Sequence, residues 1–310
     1  MRFSMDYELA IVGAGPAGFS AAIYAKRSGI STVVFDRGSG GGLLQLAPNI
    51  ENYAGFVSIP GIDLVEKMKQ HASKYGDFHF YEDVRGVEPS SPGFMITTQK
   101  TTYQVGAVIL CTGTEHKKLD VPGETKLLGK GVSYCATCDG YFFRGKRVVV
   151  VGGGNTALME SIFLKQLGCK EVYVIHRRDQ FRAEKIYEDE AREKGVHFIF
   201  NTLVEEIHGT ENVSSVGLFN LSTSERSQLM VDGVFASVGV IPQNDIAQSL
   251  GLKLNENGYI VVDTEQRTNV RGVYAAGDIT DGLRQVVTAC AKGAIAALSV
   301  TEVLGKKYPY

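Results

Sequence analysis

Apolar positions along this chain fall into short continuous runs, and several of these runs meet a glycine at once. Leu9-Ala10-Ile11-Val12 enters Gly13-Ala14-Gly15-Pro16-Ala17-Gly18 and then small residues as far as Ala25. Val148-Val149-Val150-Val151 enters Gly152-Gly153-Gly154-Asn155-Thr156-Ala157 and then Leu158-Met159-Glu160. A run without polar alternation is buried on both faces. Ending it in a tight glycine turn that opens a helix is the pattern of a parallel, doubly wound sheet. Each copy has a next strand at the expected distance, Ser31 to Phe35 and Glu171 to Ile175. Further strands are predicted at Ala107 to Leu110 before Gly113, at Val234 to Val238 before Gly239, and at Gly272 to Asp278. The last leads to a small-residue helix from about Gln285 to Leu304. The fold class is α/β, with two Rossmann-like dinucleotide-binding units and no solenoid repeat.

The chain has 310 residues, enough for roughly two domains at about 150 residues each. Lys and Arg total 32 against 34 Asp and Glu, for a net charge of −2, so nothing electrostatic points to a nucleic acid or an anionic membrane as partner. Glycine is the outlier at 36 residues, well above the usual share of roughly 7%. Five cysteines are too few, and odd in number, for a disulfide-stapled secreted scaffold. The N-terminal stretch from Met1 to Glu8 shows no leader-like apolar region, and no run of about 18 uncharged apolar residues occurs. A cytoplasmic protein is expected.

Gly13-x-Gly15-x-x-Gly18 follows a strand, opens a helix and is followed by Asp36 at the end of the next strand, which completes the dinucleotide fingerprint. Gly13 allows the turn, Gly15 lets the backbone approach a pyrophosphate, and Gly18 allows close helix–strand packing. Asp36 is expected to accept hydrogen bonds from a ribose hydroxyl. In the second copy, Gly152-x-Gly154-x-x-Ala157, the position of that acid is taken by His176-Arg177-Arg178, with Arg182 close behind. Guanidinium groups there suit a 2′-phosphate, so the second site is expected to prefer NADPH to NADH. Two dinucleotide sites in one chain suggest hydride transfer from a nicotinamide to a second cofactor, most simply a flavin. No Gly-x-x-x-x-Gly-Lys-[Ser/Thr] sequence supports phosphoryl transfer.

Cys135-Ala136-Thr137-Cys138 has two chemical readings, zinc and thiol–disulfide exchange. No second cysteine pair and no histidine near the motif completes a zinc site. In the redox reading one thiolate attacks a disulfide and its neighbour resolves the mixed intermediate. Asp139 is then either the acid–base partner of the sulfurs or a surface cap for the following turn. Cys111, Cys169 and Cys290 stand among apolar or small residues and are expected to be inert buried thiols.

Taken together, Cys135-Ala136-Thr137-Cys138-Asp139-Gly140, the second glycine loop, and His176-Arg177-Arg178 with Phe181-Arg182-Ala183 closely resemble the low-molecular-weight thioredoxin reductases. The resemblance runs from Gly13 to the C-terminal helix in the family's order. It implies a discontinuous FAD domain, residues 1–114 and 244–310, with an NADPH domain carrying the redox cysteines, 115–243, inserted into it. FAD contacts carried over by the resemblance are Gly13, Ala14, Gly15, Pro16, Ala17, Gly18, Asp36, Arg37, Gly41, Gly42, Leu43, Asn52, Val84, Thr112, Gly113, Gly277, Asp278, Arg284, Gln285 and Val286. Those for NADPH are Gly152, Gly154, Asn155, Thr156, His176, Arg177, Arg178, Arg182 and Ile241; Cys135, Cys138 and Asp139 are the catalytic set, with no metal.

The resemblance further implies a thioredoxin-like protein disulfide as partner, a homodimer, and rotation of the inserted domain about Thr114 to Gly123 and Val240 to Asn244. Two departures stand out. Leu43 occupies the place of a glutamine, and Asp281-Gly282-Leu283 lacks the family's histidine before Arg284. Both bear on how the flavin is tuned. The alternative reading keeps the flavin and dithiol but takes electrons from ferredoxin or a deazaflavin, or gives them to oxygen.

Overall fold

A computed structural model describes residues 5–47 and 50–307. Met1 to Ser4, part of the stretch read for a leader, lie outside the described residues. The chain divides into two compact units. One is built from residues up to Gln45, Asn52–Glu115 and the chain from Ile241 onward; the other is built from Leu46–Glu51 and His116–Val240.

The first unit opens with β1 (Tyr7–Val12), α1 (Pro16–Arg27) and β2 (Thr32–Asp36), followed by α2 (Gly61–Ala72) and β3 (Asp77–Phe80). Strands β4 (Val84–Pro89), β5 (Phe94–Thr98) and β6 (Thr102–Leu110) complete its first pass, and β7 (Thr114–His116) leads out. The second unit contributes β8 (Val132–Ser133), α3 (Ala136–Asp139), β9 (Arg147–Val151), α4 (Asn155–Gln166), β10 (Glu171–Ile175), α5 (Lys185–Glu193) and β11 (His197–Ile199). It continues through β12 (Thr202–Gly209), β13 (Val213–Asn220), β14 (Arg226–Met230) and β15 (Gly233–Ala236). The chain returns by β16 (Val240–Pro242), which pairs with β7, then α6 (Asp245–Ser249), β17 (Val273–Ala275) and α7 (Val286–Val303).

In the first unit the strand order is β3-β2-β1-β6-β5-β4. Strands β3, β2, β1 and β6 run parallel, while β5 and β4 run antiparallel. β17 pairs in parallel with the last part of β6, Val273 opposite Val108. The continuous apolar runs arise because both faces are covered. Leu9 and Ile11 pack with α1 and α7, whereas Ala10 and Val12 pack on the opposite face. The second unit repeats the scheme with the all-parallel order β11-β10-β9-β15-β8. Val148 and Val150 face α4, while Val149 and Val151 face the antiparallel sheet β12-β13-β14.

α7 is the one described helix long and apolar enough by length and composition to cross a membrane, with mean hydropathy 1.5 despite Lys292 and Glu302. It packs on α1 through small residues. A Cβ on Gly293 would lie 2.1 Å from the Ala17 carbonyl oxygen, so the two backbones approach closer than any side chain allows. The apolar stretch predicted over Gly272–Asp278 forms only three residues of strand, because Gly272 (φ +87°) and Gly277 (φ +83°) turn the chain on either side.

Glu82, between β3 and β4, is 3% exposed and accepts hydrogen bonds from Thr98 on β5 and Tyr103 on β6, with Lys100 and His79 also bound to its carboxylate. Burial alone raises its pKa, but these four donors outweigh burial and hold it down at about 2. The unfolded chain therefore takes up this proton first as the pH falls. Stability of about 3 kcal/mol from this group is present above pH 4.5 and lost as the pH drops toward 2. Glu82→Gln is expected to lower the urea midpoint at neutral pH and to flatten its decline between pH 4.5 and 2, measured by equilibrium denaturation.

Candidate dinucleotide and dithiol sites

At the first glycine loop the backbone is held against β6. A Cβ on Gly13 (φ +106°) would lie 2.2 Å from the Cys111 carbonyl oxygen, and one on Gly18 would lie 1.9 Å from that of Gly13. A Cβ on Gly15, by contrast, would meet nothing within 4 Å, which leaves open space beside the start of α1. No side chain caps α1, its first turn holds no acid, and Pro16 takes the first position. Its free N–H groups present unopposed positive charge.

Asp36 is already engaged. Its two oxygens accept the backbone N–H groups of Ala14 and Gly38, each at 2.8 Å. The carboxylate thus pins the glycine loop to the end of β2, and a ribose could only use its remaining lone pairs. Arg37 pairs with Glu115 on the exposed surface. Gly41 donates to the Ala14 carbonyl at 2.7 Å, so the Gly41-Gly42-Leu43 segment abuts the loop. Gln45 donates to the Gly40 carbonyl at 2.6 Å, placing an amide two residues beyond the Leu43 departure.

Asn52 donates to Gln285 at 3.0 Å, and Gln285 with Thr288 closes the N-terminus of α7, of which Val286 is the first residue. Val84 is buried in β4. Thr112 donates to the Gln243 carbonyl at 2.7 Å, and Gly113 (φ +68°) accepts from the Gln243 N–H at 3.0 Å. Gly277 is buried, where a Cβ would meet that of Ala17 at 2.8 Å. Asp278 makes no hydrogen bond among the described residues. Burial pushes its carboxyl up, against the pull of Arg284 and Lys292. Arg284 donates to the Tyr259 hydroxyl at 3.2 Å.

The second loop repeats the geometry of the first. A Cβ on Gly152 would lie 2.5 Å from the Ser237 carbonyl oxygen, while one on Gly154 would meet nothing within 4 Å. α4 has no side-chain cap and no acid in its first turn. The Asn155 side chain exchanges two hydrogen bonds with Glu184, and the Arg182 N–H donates to the Gly153 carbonyl at 2.8 Å. These bonds fasten the basic segment to the glycine loop. Arg177, Arg178 and Arg182 are exposed and make no ion pair among the described residues. His176 is buried against Gly153, where any Cβ would strike its ring at 2.2 Å, and its Nε2 has no partner. Burial, with Arg178, Arg182 and Arg177 nearby, holds its pKa below the usual value. Thr156 lies in the first turn of α4, and Ile241 is exposed on β16.

Cys135 and Cys138 form a disulfide with Cα atoms 5.3 Å apart, Cys135 preceding α3 and Cys138 within it. Asp139 is buried and makes no capping bond, so the surface-cap reading does not describe it. Burial raises its pKa, opposed by a 2.5 Å hydrogen bond from Ser133, and its Oδ1 has no partner. Ser133 also accepts the Cys135 N–H at 3.0 Å. Next to it, Tyr134 donates to the buried Glu124 at 2.8 Å, and Glu124 accepts the N–H groups of Leu119 and Asp120. Sequence patterns missed Ser133, Glu124, Glu184 and the buried, unpartnered hydroxyl of Thr114, because a lone Ser, Thr or Glu outside a motif carries no signal.

The family model for pyridine nucleotide-disulphide oxidoreductases matches residues 7–293. The chain is 43% identical to a thioredoxin reductase of Bacillus subtilis, over 95% of this chain and 93% of that relative. It is 44% identical to one of Listeria innocua, over 94% and 91%. A solved thioredoxin reductase from Streptococcus pyogenes superposes with a TM-score of 0.91 at 39% identity, covering 96% of this chain and 98% of that one. This chain belongs to the pyridine nucleotide-disulphide oxidoreductase family, as the resemblance read from its motifs implied. Membership implies a flavin and a pyridine nucleotide. The α/β fold with one dinucleotide domain inserted into another is likewise borne out.

Both cofactors fit this chain. Open space lies beside Gly15 and Gly154 at two uncapped helix starts, and among the described residues the Asp278 carboxyl and the His176 Nε2 have no hydrogen-bond partner. Burial sets the three cysteines outside the pair apart. Burial pushes the Cys111 thiol up to about 12, and those of Cys169 and Cys290 up to about 11, although Cys290 is half-buried rather than buried as expected. Raised values keep these three protonated at neutral pH. After reduction, brief iodoacetamide treatment at pH 7 followed by peptide mapping is expected to modify Cys135 and Cys138 and spare the other three.

Proposed function

We propose that this chain is a thioredoxin-disulfide reductase that uses FAD and NADPH. Electrons pass from NADPH through the flavin and the Cys135–Cys138 pair to the disulfide of a thioredoxin-like protein. The observation that carries the reading is the disulfide beside a buried carboxyl, in the same unit as a glycine loop with three unneutralised arginines. The division into compact units supports an FAD domain of residues 1–114 and 244–310 around an NADPH domain of 115–243. The resemblance to thioredoxin reductases carries the homodimeric state and the cytoplasmic location.

When bound, the flavin supplies a two-electron relay between nicotinamide and disulfide. The start of α1 and the open face at Gly15 would receive its pyrophosphate, and the Asp278 carboxyl would bond one of its hydroxyls. The N-terminus of α7, at Gln285 and Val286, would stabilise negative charge on the flavin. Gly154 and the start of α4 would receive the NADPH pyrophosphate, while Arg177, Arg178 and Arg182 would hold the 2′-phosphate. A neutral His176 seats the loop without adding charge of its own.

The reduced pair then exchanges with the target. One cysteine thiolate attacks a target sulfur, forming a mixed disulfide and expelling a target thiolate. The second cysteine attacks the chain's own sulfur in that mixed bond, which re-forms Cys135–Cys138 and expels the other target thiolate. Two electrons and two protons leave the chain, and Asp139 moves protons to and from the sulfurs.

Purified protein is expected to be yellow. Anaerobic stopped-flow should show flavin reduction about 10–100-fold faster with NADPH than with equal NADH, reflecting the lost arginine–phosphate bonds. Reduction by neither nucleotide would instead favour ferredoxin, a deazaflavin or oxygen as partner. Cys138→Ser is expected to keep the flavin and lose thioredoxin turnover; full turnover in that variant would sink the assignment.

A further inference from the structure

Ser133 is buried at the end of β8, held there by parallel pairing with Phe235 on β15. Its hydroxyl lies 2.5 Å from Asp139 Oδ2 and 3.0 Å from the Cys135 N–H. A hydroxyl has one hydrogen to give. The Cys135 N–H occupies a lone pair, and the alternative acceptor, the Cys135 carbonyl, lies at 3.4 Å, so the hydrogen goes to Asp139 Oδ2. Oδ2 is therefore an acceptor, and a proton on this carboxyl resides on Oδ1, the buried oxygen without a partner. The thiolates of Cys135 and Cys138 arise on the same short turn.

We propose that Ser133 is the positioning residue of the dithiol's proton transfer: it fixes Asp139 through Oδ2 and Cys135 through its backbone, leaving Oδ1 as the atom that exchanges the proton with sulfur. This rests on the reading of Asp139 as the acid–base group. As the second target thiolate is expelled, the proton on Oδ1 goes to sulfur and the carboxylate remains bonded to Ser133. When the Cys135–Cys138 pair is next reduced by two electrons, Oδ1 takes up a proton from solvent, which replaces the one given to the target. Among the described residues Ser133 is the hydrogen-bond donor to the Asp139 carboxyl, and burial and this bond are the influences acting on it.

The test compares Ser133→Ala, Ser133→Thr and Asp139→Asn in the holoenzyme reduced with dithiothreitol. The first readout is infrared titration of the protonated carboxyl band that Asp139→Asn abolishes. Removing the hydroxyl leaves burial unopposed, so Ser133→Ala should move the midpoint of that band upward by about one to two pH units. Thioredoxin turnover should fall about tenfold, with its pH inflection displaced in step, and Ser133→Thr should restore both. An unmoved midpoint in Ser133→Ala, or a Ser133→Thr variant that behaves like it, would overturn the proposal. Normal turnover in Asp139→Asn would remove the acid–base reading beneath it, an outcome distinct from an unmoved midpoint.

Discussion

The chain passes its own backbone at Gly13 and Gly152 closer than any side chain permits, and both candidate nucleotide sites follow from that contact. At Gly13 the neighbour is the Cys111 carbonyl at the end of β6; at Gly152 it is the Ser237 carbonyl just beyond β15. In each case the turn lies against the end of the adjacent parallel strand, which directs the next helix so that its uncapped N–H groups open onto free space at Gly15 or Gly154. The continuous apolar strands are the counterpart of this arrangement. Only a sheet covered on both faces presents its strand ends, rather than its faces, as the place for a polar ligand.

Close approach also explains the composition of the C-terminal helix. Gly293 and Gly277 both abut Ala17, so α7 and the turn after β17 are packed onto the helix that starts at the first glycine loop. Side chains there would displace α1 and with it the Gly15 cradle. The apolar character of α7 therefore reflects a helix built for close contact along one side.

Much of this was legible in residues whose type has a single geometric use. The two glycine loops, the strands that feed them and the Arg177–Arg178–Arg182 cluster announce themselves because the spacing of glycine and charge carries the chemistry. Asp36 was legible as a position but not in its full role, since nothing in its spacing says that both oxygens hold the Ala14 and Gly38 amides. The antiparallel sheet β12-β13-β14 left a weaker trace, because one face is exposed and its apolar positions are interrupted. Ser133, Glu124 and Glu184 were invisible for a different reason. Each works through two or three hydrogen bonds, to backbone N–H groups or to side chains outside any motif, and no local pattern encodes such partners.

Folded chains satisfy nearly all of their buried polar atoms, so the exceptions carry information. Among the described residues four buried side-chain atoms lack partners: Thr114 Oγ1, Asp139 Oδ1, His176 Nε2 and Gln266 Oε1. Thr114 opens β7 just after Gly113, His176 backs the second glycine loop, and Asp139 adjoins the dithiol. Two of the four, His176 Nε2 and Asp139 Oδ1, thus stand where the proposed chemistry needs a ligand or a proton. A group left unpaired in the interior costs free energy that a ligand hydroxyl, a phosphate or a sulfur proton can recover only when it arrives. At the dithiol turn that unpaired atom is Asp139 Oδ1, beside a second oxygen already bonded to Ser133.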